Sequence, residues 1–305
     1  MKVAVIDIGS NTIRLAIYLR TANGFKRIFS EKEMVGLVGY ITDRTMSADG
    51  IELLITILEG FQQRAQIIQV DTIQCLATAS LRGLENTAVI IKEVKDRLEL
   101  SIQVLSGEEE AFLGFLGSQD LLDDQPGIMV DLGGGSTELV SIENRKICNS
   151  TSLPFGVLLL HNRFVRYILP TAEENQKIQE YLRQQLAQLP WLQSGKLTLY
   201  ANGGTGRAIG DLHQYCHHRR HGEALHGYRL PAGELEEIIA WLQTYDEAAI
   251  KALIKVVPER LHLIFPGLLV FATIMKVAKV DEICVSRNGL REGFMRQWVN
   301  SLSGH

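Results

Sequence analysis

The order of apolar and polar positions along the chain is typical of an α/β protein. Near the N-terminus, a β-branched run at residues 3–6 ends at Asp7, and a second apolar run covers residues 13–19. Two such runs around a turn of Gly, Ser and Asn predict a β-hairpin. Downstream, periodic and continuous apolar runs predict a helix at 51–69, a strand at 72–77, a helix at 84–98 and a strand at 102–105. This alternation predicts a sheet with helices packed against it.

The second half of the chain continues the alternation. Its predicted elements are helices at 172–189 and 232–243, a strand at 197–201 and a helix–strand–helix over 258–300. The longest apolar run, residues 263–275, is shorter than the ~20 residues that span a bilayer, so it predicts a buried helix. Residues 211–227 are rich in His and Arg and poor in apolar side chains, which predicts an exposed loop.

The N-terminal strand and turn recur once in the sequence. Residues 128–140 align with the segment that ends at Ala16, so that Asp131 falls on Asp7 at an offset of 124 residues. A repeat at this period indicates duplication of one α/β unit, and a chance match of two strand–turn units is the alternative. Acids, Pro and Gly concentrate at 118–127, so we predict domains at 1–123 and 124–305.

Composition narrows the classes of partner. Lys and Arg number 31 against 35 Asp and Glu, for a net charge of -4, so no bulk positive field attracts a nucleic acid. Any polyanion must therefore be held by a local site. The four Cys residues are far apart in sequence, which argues against a zinc ribbon or a disulfide scaffold. Asp7 interrupts the stretch that a signal peptide keeps apolar, so we expect a cytoplasmic protein without a membrane partner.

Three Gly-rich turns are candidate phosphate sites. They lie after predicted strands, and their candidate contact residues are Gly9, Ser10, Asn11, Gly133, Gly134, Gly135, Ser136, Gly203 and Gly204. Turns without Cβ atoms let backbone N–H groups point at an anion. GxxxxGK[ST] is absent, and Glu138 stands where a dinucleotide fingerprint needs its third Gly. The alternative is that these are merely tight turns.

Carboxylates accompany the turns. Asp7, Asp131 and Glu138 are candidate Mg²⁺ ligands, since hard divalent ions prefer oxygen donors, and the alternative is that they cap turn amides. A run of three acids, residues 108–110, stands at a predicted helix start. The helix dipole alone accounts for acids there. One of them facing a phosphate could instead deprotonate an attacking water.

Basic side chains are scattered, apart from one cluster. The scattered candidates for anion contact are Arg14, Arg82, Arg207, Arg260, Arg287 and Arg291. The cluster at 217–221, HHRRH, is compatible with a solvated loop, a funnel for a phosphate chain or an HHxxH metal site.

The motifs together resemble the exopolyphosphatase / guanosine pentaphosphate phosphatase (Ppx/GppA) family. The resemblance rests on VIDIGSNTIRLAIY (5–18), SGEEEA (106–111) and VDLGGGSTELV (130–140). Supporting segments stand in the expected order: ATASLR (77–82), SLPFG (152–156), GGTGRAIG (203–210), HGYRL (226–230), VPER (257–260) and GLREGF (289–294).

This resemblance implies two actin-like (ribonuclease H-like) α/β domains with a phosphate cleft between them. It implies Mg²⁺-dependent removal of the terminal phosphate of inorganic polyphosphate or of guanosine pentaphosphate. It gives Glu110 the role of catalytic base, Asp131 and Glu138 the metal-associated positions, and Asn11, Arg14 and Arg82 contacts to phosphate. Guanosine tetraphosphate is a further expected ligand, and homodimerisation is left open.

At three positions the sequence departs from the family pattern, and these departures weaken the expectation that the protein acts on long polyphosphate. Gly36, Phe112 and Leu159 stand where relatives commonly carry Arg. Each charge-assisted contact to phosphate contributes roughly 1.5–3 kcal/mol, so we expect short polyphosphate or a nucleotide more than a long polymer. A nucleotide-binding regulator with weak catalysis and a kinase of the same superfold are the alternatives.

Overall fold

The computed structural model describes residues 1–22, 24–192, 197–218 and 224–303. The chain folds into two compact units. The first comprises Met1–Leu116 with Leu290–His305, and the second comprises Gly117–Gly289.

The first unit is a five-stranded sheet with helices on it. Its elements are β1 (Lys2–Ile8), β2 (Thr12–Thr21), β3 (Gly24–Met34), β4 (Ile41–Thr42), β5 (Thr45–Met46), α1 (Ala48–Ile67), β6 (Thr72–Ala77), α2 (Thr87–Leu98), β7 (Ile102–Val104) and α3 (Gly107–Ser118), which runs into the second unit. The strand order is β3-β2-β1-β6-β7; β1 is antiparallel to β2 and parallel to β6. The predicted hairpin, helices and strands of this half are thus confirmed within a few residues.

The apolar run in β1 is continuous because both faces of the strand are buried. Ala4 and Ile6 belong to the core cluster that contains the buried face of α1, and Val3 and Val5 belong to a second cluster. Met295 from the last helix is fully buried in that second cluster. Alternate side chains of β1 therefore pack into two different apolar layers, one on each face of the sheet.

The second unit repeats this arrangement. Its elements are β8 (Gly127–Leu132), β9 (Thr137–Glu143), β10 (Lys146–Leu153), α4 (Val157–Phe164), α5 (Ala172–Leu186), β11 (Leu197–Asn202), α6 (Gly203–Cys216), β12 (Tyr228–Pro231), α7 (Ala232–Leu242), α8 (Glu247–Val256), α9 (Leu261–Ala278) and β13 (Val280–Val285); α10 (Leu290–Ser303) follows. Its sheet order is β10-β9-β8-β11-β13-β12.

The five strands of the first sheet have the same order as five strands of the second, which adds the antiparallel edge strand β12. In each, three antiparallel strands joined by hairpins (β1–β3 and β8–β10) are followed by a strand that lies parallel to the first, β6 beside β1 and β11 beside β8. The register places Arg14 opposite Asp7 and Glu138 opposite Asp131. This correspondence supports the duplication read from the sequence, and the predicted α/β class with two actin-like domains is confirmed.

The two observed units differ from the predicted ranges in two places. Residues 117–123 group with the second unit, and α10 groups with the first. The apolar face of α10 accounts for the latter, because Met295 packs into the cluster of Val3 and Val5.

The predicted loop at 211–227 is wrong in its first part. Residues 211–216 continue α6, with Leu212, His213 and Gln214 buried. Burial of the polar His213 imidazole is stabilised by hydrogen bonds, because its two ring nitrogens contact Tyr228 and Glu234. Residues 219–223 lie outside the described part of the chain.

The predicted buried helix is confirmed as α9, in which all of residues 263–275 are buried. By length and composition, the segment Pro258–Ala278 also meets the criteria for a membrane span. Its most apolar window is 72% buried inside the protein, as expected of a core helix.

Candidate functional site

Three loops converge at one edge of the first sheet. β6 lies between β1 and β7 and is parallel to both. Their carboxyl ends therefore meet at the same edge, where ligands bind in open α/β sheets. The loop 9–11 follows β1, the turn 78–82 follows β6, and the start of α3 follows β7.

The loop at 9–11 presents backbone amides. The N–H of Gly9 closes the turn by donating to the carbonyl of Thr12 at 3.2 Å. The carbonyls of Ser10 and Asn11 accept hydrogen bonds from the amides of the segment 35–38. Within the described residues, the amides of Ser10 and Asn11 donate to no other group. They are therefore available to an anion.

The three acids at the start of α3 have separate roles. The N–H of Ser106 donates to Oε2 of Glu109 at 2.7 Å, and the N–H of Glu109 donates to the Ser106 hydroxyl at 3.1 Å. This reciprocal pair is a capping box. Glu108 is exposed. Helix capping therefore accounts for Glu109 and leaves Glu110 with a different environment.

Glu110 is held at the sheet edge by Arg82. Nη1 of Arg82 lies 2.9 Å from Oε2 of Glu110 and also donates to the carbonyl of Leu105 at 3.2 Å. The side chain of Glu110 is only 13% exposed. The guanidinium thus joins the turn after β6 to the helix after β7 and fixes the direction of the carboxylate.

Asp7 and Arg14 lie at the same end of the first hairpin. They face each other across β1 and β2. Arg291 approaches Asp7 with Nε 3.9 Å from Oδ2. Asp7 belongs to the first unit, whereas its fellow metal candidates Asp131 and Glu138 belong to the second.

The loop at 133–136 has the same construction in the second unit. The N–H of Gly133 donates to the carbonyl of Ser136 at 3.0 Å. The carbonyls of Gly133 and Gly134 accept from the first three amides of α4, at 3.0–3.3 Å. Among the described residues, the amides of Gly134, Gly135 and Ser136 donate to no other group. The loop therefore has its carbonyls engaged and its amides available, like the first loop.

Two carboxylates face each other beside this loop. Asp131 and Glu138 are direct cross-strand neighbours. Glu138 is 1% exposed and accepts a hydrogen bond from the Ser152 hydroxyl at 2.7 Å. Carboxylates placed opposite each other repel, and a divalent cation offsets that repulsion. Mg²⁺ commonly binds through one or two carboxylates plus substrate phosphates, so this pair fits such an ion.

The third Gly turn opens α6 directly. Gly203 has φ of 77°, and a Cβ there would lie 2.8 Å from Oδ1 of Asp131. A Cβ on Gly204 would overlap the guanidinium of Arg260. Arg260 therefore rests on the backbone at the N-terminus of α6. By sequence it is only one of several scattered bases, and the VPER segment is the signal that could single it out.

The His-rich segment is not at this end of α6. His217 caps the C-terminus of the helix, whereas the Gly turn is at its start. At 1.5 Å rise per residue, a helix of 14 residues separates them by about 20 Å. The described part of the predicted phosphate funnel is thus remote from the Gly203 turn, and residues 219–221 lie outside the described part of the chain.

Comparison with known proteins identifies the family of this chain. The model of the Ppx/GppA phosphatase family matches residues 16–302. A Ppx/GppA family member from Aquifex aeolicus is 25% identical with a TM-score of 0.82, over 99% of this chain and 98% of that chain. An exopolyphosphatase from Cytophaga hutchinsonii, 21% identical over 99% of this chain and 98% of that chain, shares the fold with a TM-score of 0.87. Because the family model covers nearly the whole sequence, the chain belongs to the Ppx/GppA phosphatase family.

Proposed function

We propose that the protein is a Mg²⁺-dependent hydrolase of the terminal phosphoanhydride bond of short inorganic polyphosphate or guanosine pentaphosphate. The observation that carries this proposal is the environment of Glu110. Of three consecutive acids, it is the one that Arg82 holds at the sheet edge of the first phosphate loop. Family membership supports the reaction class.

Glu110 acts as the general base. A water attacks the terminal phosphorus, its proton passes to the Glu110 carboxylate, and the anhydride oxygen leaves with the bonding electron pair. Positioned general bases contribute typically 10²–10⁴-fold to a rate. Arg82 fixes the carboxylate in one direction, so that the water is activated on the phosphate-facing side.

Each of the two amide loops offers hydrogen-bond donors to phosphoryl oxygens. Amides that are fixed before the substrate arrives stabilise charge developing in the transition state without reorganisation. Asp131 and Glu138 would hold the Mg²⁺, which when bound supplies charge neutralisation on the leaving phosphate.

The preference for a short anion follows from three positions that lack a basic side chain. Phe112 is an exposed apolar side chain on α3, and Leu159 lies where the first turn of α4 meets the carbonyl of Gly134. Gly36 has φ of 61°, a conformation that disfavours Arg. The net charge of -4 adds no compensating field. The same positions favour the second candidate, a nucleotide-binding regulator with weak catalysis.

One assay separates these candidates. Purified protein with saturating Mg²⁺ is given tripolyphosphate, long polyphosphate, guanosine pentaphosphate or ATP, and released orthophosphate is measured. We expect the highest kcat/KM on tripolyphosphate or guanosine pentaphosphate, at least tenfold above long polyphosphate. Saturable binding of guanosine tetraphosphate without any phosphate release would contradict the hydrolase and support the regulator.

Gly204→Ala tests the contribution of Arg260. The new Cβ would displace the guanidinium from the start of α6. Losing one charge-assisted phosphate contact of roughly 1.5–3 kcal/mol should lower kcat/KM about tenfold to a hundredfold. Gly233→Ala is the control, since nothing lies within 4 Å of a Cβ there. Equal kcat/KM values for the two variants would show that Arg260 makes no contact with the substrate.

A further inference from the structure

A cluster of three potential metal ligands lies outside the hydrolytic site. His213 and His217 are one turn apart on α6, and Glu234 stands in the first turn of α7. Their ligand atoms all lie within 4.8 Å of one another. The two imidazole rings are 4.3 Å apart between centroids, so both point to one side of the helix.

Both imidazoles converge on one oxygen. Nε2 of His213 is 2.6 Å from Oε2 of Glu234, and Nε2 of His217 is 2.9 Å from the same atom. Around a tetrahedral Zn²⁺ with bonds of about 2.0–2.2 Å, ligand atoms lie roughly 3.3 Å apart. An ion would therefore need each of the two nitrogens to move less than about 1 Å away from Oε2 of Glu234.

The supporting contact of His213 is also typical of a metal site. Its Nδ1 lies 2.7 Å from the hydroxyl of Tyr228 on β12. Metal-bound histidines usually hydrogen-bond through their second nitrogen, which fixes the tautomer and the ring orientation. Without a metal, the N–H at Nε2 of His213 donates to Glu234 and Nδ1 accepts from the Tyr228 hydroxyl. With a metal bound, Nδ1–H would instead donate to Tyr228, and Nε2 would present its lone pair to the ion.

We propose that His213, His217 and Glu234 form a Zn²⁺-type site that joins α6 to α7. Two imidazole nitrogens with one carboxylate favour Zn²⁺ and related transition metals over the oxygen-preferring Mg²⁺. His217 is 48% exposed and Glu234 35%, so water has access to the fourth position. Each imidazole binds the metal in its neutral form, with the lone pair at Nε2 and the proton at Nδ1.

The site has a structural role. His213 is ten residues from Gly203, about 15 Å along α6, which separates it from the phosphate-binding start of that helix. The C-terminal end of a helix carries partial negative charge and favours a cation. A metal here would fix the end of α6 against α7 while leaving the chemistry to the other end.

Calorimetric titration with Zn²⁺ tests the proposal, with excess Mg²⁺ present to occupy oxygen-ligand sites. The intact chain should bind one Zn²⁺ at micromolar concentration or below. His217→Ala and Glu234→Gln should each weaken binding at least tenfold. His218→Asn is the matched control: this exposed neighbour lies outside the cluster, and Asn tolerates its φ of 52°.

Two further measurements exclude trivial outcomes. Circular dichroism checks that each variant is folded. If Glu234→Gln does not fold, the result for His217→Ala tests the proposal alone, because His217 is half exposed and its loss should not unfold the chain. Co²⁺ in place of Zn²⁺ should give the visible d–d absorption of a low-coordinate site, absent in His217→Ala. No Zn²⁺ uptake by the intact chain, or equal affinity in His217→Ala and the intact chain, would overturn the proposal.

Discussion

Glu110→Gln should lower kcat for phosphate release from tripolyphosphate by at least about a hundredfold, the usual contribution of a general base. The amide keeps the size of the side chain and can still accept from Arg82, but it cannot take a proton from water. KM should change little, because the proposed mechanism assigns substrate binding to the amide loops and the metal. Steady-state kinetics at saturating Mg²⁺ measures both values.

Glu109→Gln is the matched control for that variant. The two acids are adjacent on α3, and Glu109 serves the capping box with Ser106. Gln also completes a capping box, so stability should be retained. Activity should stay near that of the unmodified chain. Equal losses in both variants would show that negative charge near the start of α3 matters and that Glu110 is not the base.

Asp131→Asn should raise the Mg²⁺ concentration needed for half-maximal activity, and activity at low Mg²⁺ should fall by roughly a hundredfold. The carboxylate faces Glu138 across the hairpin, and in the proposed metal site the substitution would leave a single charged ligand for the ion. A second readout is the Mg²⁺-dependent rise in Tm of the chain, which the variant should lose. Activity as a function of Mg²⁺ concentration, together with thermal unfolding, provides the measurement.

The control for Asp131→Asn lies on the same hairpin. Glu143→Gln removes an exposed charge at the far end of β9, away from the loop. Its Mg²⁺ dependence should match that of the unmodified chain. An unchanged Mg²⁺ requirement in Asp131→Asn would show that the carboxylates of Asp131 and Glu138 do not bind the metal together.

Local sequence patterns predict the hairpins and their loops well. The turn at Gly9 and the turn at Gly133 are defined by hydrogen bonds within four residues, so their chemistry is readable from a short segment. The capping box at Ser106 is equally local, although its pattern does not show which acid faces Arg82. That choice depends on how α3 is rotated against the turn after β6.

Contacts distant in sequence are not predictable in the same way. Arg260 lies in the short 3-10 helix Pro258–Arg260, and its guanidinium reaches the backbone of Gly204, which is 56 residues away in sequence. His213 belongs to a stretch with the composition of a loop, yet it is buried because Tyr228 and Glu234 supply partners. The attachment of α10 to the first unit likewise depends on packing across the length of the chain.

Hydrolysis in water labelled with heavy oxygen tests the central claim most directly. Tripolyphosphate is turned over by the unmodified chain and by Glu110→Gln with Mg²⁺, and the released orthophosphate is analysed by mass spectrometry. We expect one labelled oxygen in each orthophosphate released by the unmodified chain, and a rate at least about a hundredfold lower in the variant. Substrate binding without labelled orthophosphate, or phosphate transfer only to an added acceptor, would contradict hydrolysis by water that Glu110 activates.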